Sequence, residues 1–260
     1  MFPVLVLMFH GLEGARSRAT GYAADPHYIF PAARFRSLLD RLLNEGFSVG
    51  SARDLLSVKQ TSPAVCLSFD DGDSSNFEEA FPLLQARGVS ADFFVNPGRV
   101  GTQGFMDWSQ ARQMAEAGQS IQSHGQTHTY FTHLAPAALA EELRVSKAQI
   151  EQQIATPVSL LAPPGGRAPK GLVPLARGLG YRAVLGSAPG VVLGASHTHP
   201  LPRVAITQQH TEDTILAWAR GGNAALRGLR LRYTVLAGAK RLLGDPGYER
   251  LRASVLGAPA

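Results

Sequence analysis

The sequence predicts an α/β fold, a single parallel barrel in which strands and helices alternate and close, or nearly close, into a ring. Three observations carry this. Short apolar runs alternate with helix-period segments from end to end, the first two runs are apolar almost without a break, and no dinucleotide-binding glycine fingerprint opens any unit. Strand–helix repetition demands right-handed crossovers and a parallel sheet, and a strand covered on both faces reads as a continuous apolar run.

Strands are expected at 3–9, 64–69, 91–95, 119–123, 158–161, 181–185 and 202–206, which makes seven units. Between them, 31–45 carries one apolar stripe of Phe35, Leu38, Leu39 and Leu42, with Gly46 placed to end the helix. The segment 75–87 aligns Phe77, Phe81 and Leu84 and closes at Gly88. Asp107 is placed to cap a helix over 108–117, which Gly118 ends. Leu139, Leu143, Ile150 and Ile154 stripe 136–154, and further helices are expected at 169–179 and 212–220. No linker, internal repeat or low-complexity tract divides the chain, so the reading is one barrel over 1–220 followed by a basic amphipathic helical tail over 221–260.

Composition narrows the function classes. Of 260 residues, 45% are hydrophobic and 17% charged, which supplies a sizeable core and excludes disorder as the main state. Cys66 is the only cysteine, so neither an intramolecular disulfide nor a cysteine-cluster metal site is available. The net charge of +5 sits in the tail: Arg220 to Arg252 carries +6 and the remainder −1. A basic tail with interleaved Leu, Val and Tyr suits peripheral contact with an anionic membrane surface, or else a solvated helix packing its leucines on the barrel. It matches no nucleic-acid motif, so nucleic acid is not an expected partner. The opening MFPVLVLMFHG lacks a basic n-region and a small-residue cleavage site and is too short to span a bilayer. The expected location is cytoplasmic, with the tail at the inner face of the membrane.

Barrel chemistry belongs to the loops after the strands' C-terminal ends. The loop after 64–69 reads S-F-D-D-G-D, with Asp70 and Asp71 adjacent at a strand end. Neighbouring side chains there diverge, so one carboxylate can bind a metal while the other faces substrate; an Asx turn before a helix is the plainer use of such a run. The loop after 119–123 reads S-H-G-Q-T-H, placing His124 and His128 four apart. That spacing is weak alone and gains weight from its position one unit after the acidic pair. Asp71, His124 and His128 together would make three ligands with a position left open for water.

These segments resemble a known family. S-F-D-D-G at 68–72 and S-H-G-Q-T-H at 123–128 resemble the first and second motifs of polysaccharide deacetylases, carbohydrate esterase family 4 (nodulation-type deacetylase homology), and L-A-P-P-G-G at 161–166 resembles the third. The opening L-M-F-H-G resembles the start of biofilm-type poly-N-acetylglucosamine deacetylases, so the likeness covers roughly 1–206. It implies a (β/α)7 barrel and a divalent metal, usually zinc with cobalt or nickel as substitutes, ligated by Asp71, His124 and His128. It further implies Asp70 as the general base and a backbone N–H at Gly165 facing the developing oxyanion.

The general acid of this family is a histidine in a late strand-end motif. Here the first strand ends that way, at His10, and a barrel closes first strand against last, so His10 is assigned the role in a circularly permuted motif order. His197, His199 and His210 read as solvated loop histidines, and His27 and His133 as structural or exposed. Ala162 stands where the third motif has the arginine that holds the base, which points to Arg167 as its substitute, and Gly165 replaces the loop's aromatic residue. Pro164, Gly165, Trp108 and Tyr130 are the expected substrate-binding residues, with Phe105 and Phe131 nearby. The resulting reading is a metal-dependent hydrolase removing an N-acyl group, most simply acetyl, from an amino sugar in a polysaccharide or lipid-linked glycan. The alternatives are hydrolysis of a small cyclic amide and a non-catalytic barrel that binds glycan or membrane.

Overall fold

In the computed structural model, which describes residues 2–15, 17, 24–193 and 198–235, the chain builds a curled nine-stranded sheet and a separate two-stranded one. In chain order the strands are β1 (Val4–Phe9), β2 (Gly11–Glu13), β3 (Ile29–Pro31), β4 (Ser48–Gly50), β5 (Ala64–Phe69) and β6 (Asp92–Val95). They continue as β7 (Ser120–Ser123), β8 (Leu160–Leu161), β9 (Ala183–Val184), β10 (Val191–Val192) and β11 (Val204–Ala205). The helices are α1 (Ala32–Asn44), α2 (Ala52–Leu55), α3 (Phe81–Gln85), α4 (Trp108–Glu116), α5 (Pro136–Ile154), α6 (Leu172–Gly178) and α7 (Glu212–Ala225).

Parallel pairing runs from β1 through β5, β6, β7 and β8 to β9. The seventh position is filled by the segment 201–206: Leu185 bridges Leu201, and β11 pairs in parallel with β1 at Leu7–Val204 and Met8–Ala205. Bonds from Gly186 N–H to Leu201 O (2.7 Å) and from Ile206 N–H to Met8 O (2.8 Å) seal this seam. The expected seven-unit barrel is therefore the observed one, with first strand against last.

Alternation along the strands sorts the core into two layers. Val4, Val6, Ala64, Cys66, Phe94, Leu160 and Leu185 fill the interior of the ring. Leu5, Leu7, Phe9, Val65, Leu67, Phe69, Phe93 and Ile121 face the helices, where α1 contributes Phe35, Leu38, Leu39 and Leu42. Asp107 caps α4 as expected, in a reciprocal capping box with Gln110.

The departures have local causes. The predicted strand at 158–161 shrinks to two residues because the N–H groups of Ser159 and Leu160 bond to the Gln122 side chain, at 2.9 and 2.7 Å, instead of to a neighbouring backbone. Tyr181 is drawn from the predicted strand 181–185 to the end of α6, its N–H bonding Ala176 O. The predicted helix 75–87 opens as a wide π turn over Asn76–Ala80 before α3, where Pro82 can give no helical N–H. The short strands β2, β3, β4 and β10 and the single turn α2 carry too few residues for a periodic signal. Helix α7 runs through residue 220, where the sequence places the start of the tail, and Leu226 beyond it is buried in the core. Helical residues continue over 227–235, with Leu231, Tyr233 and Val235 exposed; the rest of the predicted tail, 236–260, lies outside the described residues.

At the end of the barrel away from the long βα loops, α2 seats Ala52 in the interior layer, and buried Asp92 accepts the backbone N–H groups of Ala52 and Arg53. Burial pushes the Asp92 carboxyl up to about 6, although Ser120 and these backbone donors pull the other way. An unfolded aspartate titrates near 3.8, so the stability contributed by this group is fully present below that pH and is lost as pH rises through 6. Asp92→Asn, which keeps an acceptor oxygen and removes the charge, is expected to raise the unfolding midpoint at pH 7.5 and to give no gain at pH 4. Thermal melts of both proteins across pH 4 to 8 check this.

Candidate metal centre and catalytic site

Strand register decides which side chains meet. β1 and β5 end in step at Phe9 and Phe69, so His10 and Asp70 leave the sheet side by side, and Asp70 N–H bonds Phe9 O at 2.9 Å. β6 and β7 end in step at Val95 and Ser123, which sets Asn96 beside His124. Ser123 also pairs with Leu161 of β8, which brings Ala162 to the other flank of His124. Asp71 and His128 then take left-handed backbone, at φ 75° and 66°, a region that non-glycine residues seldom enter. Held strain of this kind gathers at functional sites.

The three expected ligands converge. Asp71 Oδ1 lies 3.3 Å from His124 Nε2 and 3.0 Å from His128 Nε2, and the donor atoms of the three residues lie within 4.8 Å of one another. His124 Nδ1 lies 2.8 Å from Ala162 O. A carbonyl only accepts, so Nδ1 carries the hydrogen, and the lone pair of a neutral ring on Nε2 faces a carboxylate oxygen. A cation between them resolves that opposition, and a backbone partner on the far nitrogen is the usual support of a metal-bound histidine. Were the two imidazoles protonated instead, their hydrogen bonds to Asp71 would outweigh the burial that raises its carboxyl and hold the group well below the usual carboxylate range. Two imidazoles and one carboxylate suit a divalent transition metal, so the residues fit the group.

Beside the triad, Asp70 is buried and gripped by Arg203. Arg203 Nη1 donates to Asp70 Oδ1 at 2.7 Å and Nη2 to Oδ2 at 2.8 Å, while its Nε bonds Gly186 O and its Nη1 also reaches Ser68 Oγ. Desolvation works to raise the Asp70 carboxyl, and the Arg203 charge overcomes it, keeping the group below its ordinary value and ionised at neutral pH. This corrects the expectation for Arg167. Arg167 lies over the Tyr130 ring, 3.6 Å from its centroid, and Asp70 is held by an arginine from the last strand segment. An arginine in the otherwise apolar run 202–206 was the available signal, because a charge in a buried strand needs a partner.

His10 takes its place next to Asp70. Its ring stacks on Tyr28 at 4.5 Å, its Nδ1 is buried with no hydrogen-bond partner among the described residues, and burial lowers its pKa against the pull of the Asp71 and Asp70 charges. Pro164 is buried and Gly165 is exposed, with Tyr130 packed on the latter. Trp108 instead packs, partly buried, on the outer core at the start of α4, and Phe131 is wholly buried. Phe105 bridges Asp73 in the first-motif loop. His199 is exposed beside Thr198, and His210 is half-buried against Trp218. His27 and His133 meet Tyr28 and Tyr130 edge-on, and His197 lies outside the described residues.

Residues 57–184, which hold the paired carboxylates, both histidines and the Pro164–Gly165 loop, match the family model described as polysaccharide deacetylase. The chain is similar there to the polysaccharide deacetylases, hydrolases acting on amide carbon–nitrogen bonds. YxkH of Bacillus subtilis, assigned to the polysaccharide deacetylases, is 23% identical over 78% of this chain and 71% of its own length. The poly-β-1,6-N-acetyl-D-glucosamine N-deacetylase of Staphylococcus aureus is 22% identical over 60% of this chain, which spans 58% of that relative. Among solved structures, Streptococcus pyogenes deacetylase PplD superimposes with a TM-score of 0.73 at 22% identity, covering 82% of this chain and 96% of that one. His10 and Arg203 lie outside the segment that the family model matches.

Asn96 is the other residue that sequence reading passed over. Fully buried, it donates from Nδ2 to the carbonyls of both His124 and Gly125, and Gly98 N–H bonds Gln126 O at 2.9 Å, so one loop clamps the backbone that carries the histidines. Asn96→Ala is expected to lower zinc affinity roughly 10- to 100-fold, read by competition with a chelator, with only a small change in the melting midpoint. Arg203→Leu strips a buried carboxylate of its partner and is expected to cost about 3–5 kcal/mol of stability, read by urea unfolding, with Arg203→Lys intermediate.

Proposed function

We propose that this protein is a metal-dependent N-deacetylase acting on an amino sugar of a glycan, with zinc as the metal. The observation that carries the reading is one cluster at the C-terminal mouth of the barrel: the Asp71–His124–His128 triad, the Arg203-held Asp70, and His10. A divalent metal in the triad would supply Lewis acidity, lowering the pKa of a bound water and polarising the amide carbonyl. Asp70, ionised and fixed through both oxygens, accepts the proton of the attacking water. His10, across the β1–β5 pair, stands beside Asp70 and passes a proton to the departing amine. The N–H groups of Gly166 and Arg167 bond back to Pro163 O and Pro164 O, and that of Gly165, on the exposed loop edge, is the one suited to the oxyanion. The staphylococcal relative's named substrate makes β-linked N-acetylglucosamine oligomers the first to try. Work in the cytoplasm, with the basic tail at the membrane surface, remains the sequence-based part of this proposal. Among the described residues, no helix is long and apolar enough to cross a membrane.

Metal content and acetate release from N-acetylglucosamine oligomers, measured on the same samples, test this. Wild type is expected to hold near-stoichiometric metal and to release acetate, and Asp71→Ala and His128→Ala to lose both. Asp70→Asn is expected to keep its metal while turnover falls at least about 100-fold. Absence of metal in every sample after zinc is added back would overturn the reading and leave a binding barrel.

A further inference from the structure

Two residues past His128, neighbouring aromatic side chains part company. Phe131 is wholly buried, packed so tightly on Gly125 that a Cβ there would lie 2.9 Å from its Cε1, whereas Tyr130 stays half-buried at the surface. The anchor beneath fixes the backbone from which Tyr130 projects, and the ring itself is held from three directions. The Arg167 guanidinium carbon lies 3.6 Å from its centroid, His133 meets it edge-on at 5.5 Å, and Gly165 lies against its edge. A Cβ on Gly165 would come 2.8 Å from Tyr130 Cε1, and Gly165 also holds φ at 60°, so both space and backbone call for glycine.

This ring stands where two loops of the barrel mouth meet. It follows His128 on one loop and packs on the other, whose Ala162 carbonyl orients His124. A flat amphipathic face already immobilised by a cation, an imidazole and a backbone gives up little freedom when a ligand settles on it. We propose that Tyr130 is the side wall of the substrate site, a platform for the ring of an amino sugar, and that Arg167 is the positioning residue that locks it. Positions 130 and 165 then form a coupled pair, in which the aromatic at one requires glycine at the other. The proposal rests on the reading of the chain as an amino-sugar deacetylase and names how that sugar is held.

The test is calorimetric binding of an N-acetylglucosamine tetramer to zinc-loaded protein carrying Asp70→Asn, so that turnover does not intervene. Adding Tyr130→Ala is expected to weaken binding by about three- to tenfold with metal content unchanged, while Tyr130→Phe recovers most of the affinity. Arg167→Ala is expected to weaken binding less than Tyr130→Ala does. In melts, Gly165→Ala is expected to cost less stability when combined with Tyr130→Ala than on its own, because the smaller side chain relieves the clash and leaves only the left-handed backbone. Equal tetramer binding with and without Tyr130→Ala overturns the wall while leaving the deacetylase reading intact. No tetramer binding to any of the proteins overturns the substrate on which both rest, and additive melts overturn the coupling.

Discussion

Arg203 and Asp70 are both buried, and taking two charges out of water costs several kcal/mol for each ion. What offsets it is geometry: two parallel N–H···O bonds at 2.7 and 2.8 Å, with the remaining guanidinium nitrogen on Gly186 O and Nη1 shared with Ser68 Oγ. Asp70 stands at the end of β5, and Arg203 enters from the segment that closes the ring on β1. The pair therefore exists only in a closed barrel, and closure of the barrel and the pairing of Asp70 are one constraint. A water-excluding interior around the pair also keeps its hydrogen bonds strong.

Around that pair the site is assembled by register. Each of four adjacent parallel strands hands one residue to the same mouth, His10, Asp70, Asn96 and His124: β1 ends in step with β5 and β6 with β7, and β6 runs two residues beyond the level of Phe69. The loops then bend through backbone conformations that side chains rarely adopt, at Asp71 and His128, and are kept there by clamps: Asn96 on two carbonyls, Gly98 on a third, Ala162 on an imidazole. Such a site needs little reorganisation when metal and substrate arrive. The opposite end of the barrel has another task. Asp92 and the short turn α2 close it, and the residues there touch none of the groups proposed for chemistry.

Similarity to the polysaccharide deacetylases gives the class of bond attacked, while identities of 22–23% to the relatives leave the details to this chain's own residues. Two of those details are particular. The arginine that grips Asp70 comes from the closing strand segment, Ala162 standing in the third-motif position, and the aromatic ring packed on Gly165 comes from the loop that carries His128. Both follow from the same geometric fact. In a closed ring, residues distant in sequence reach the same point in space, so a function lost from one loop can be supplied from another.

The sequence by itself determined the barrel, its seven strand positions, the capped and striped helices, and the triad with its adjacent carboxylate. These are encoded locally, by apolar periodicity, by a cap residue, or by two short motifs at the ends of consecutive strands. The position of His10 at the end of the first strand was also legible, and pairing of that strand with β5 sets it beside Asp70. Arg203, Asn96 and the pairing of Tyr130 with Gly165 were decided by the tertiary structure. Asp70 and Arg203 are 133 residues apart, Asn96 acts on carbonyls 28 and 29 residues away, and the Tyr130–Gly165 contact depends on how two loops lean on each other. A single sequence records which residues can hold a charge or accept a close approach. Which of them meet is fixed only when the ring closes and register brings their strand ends together.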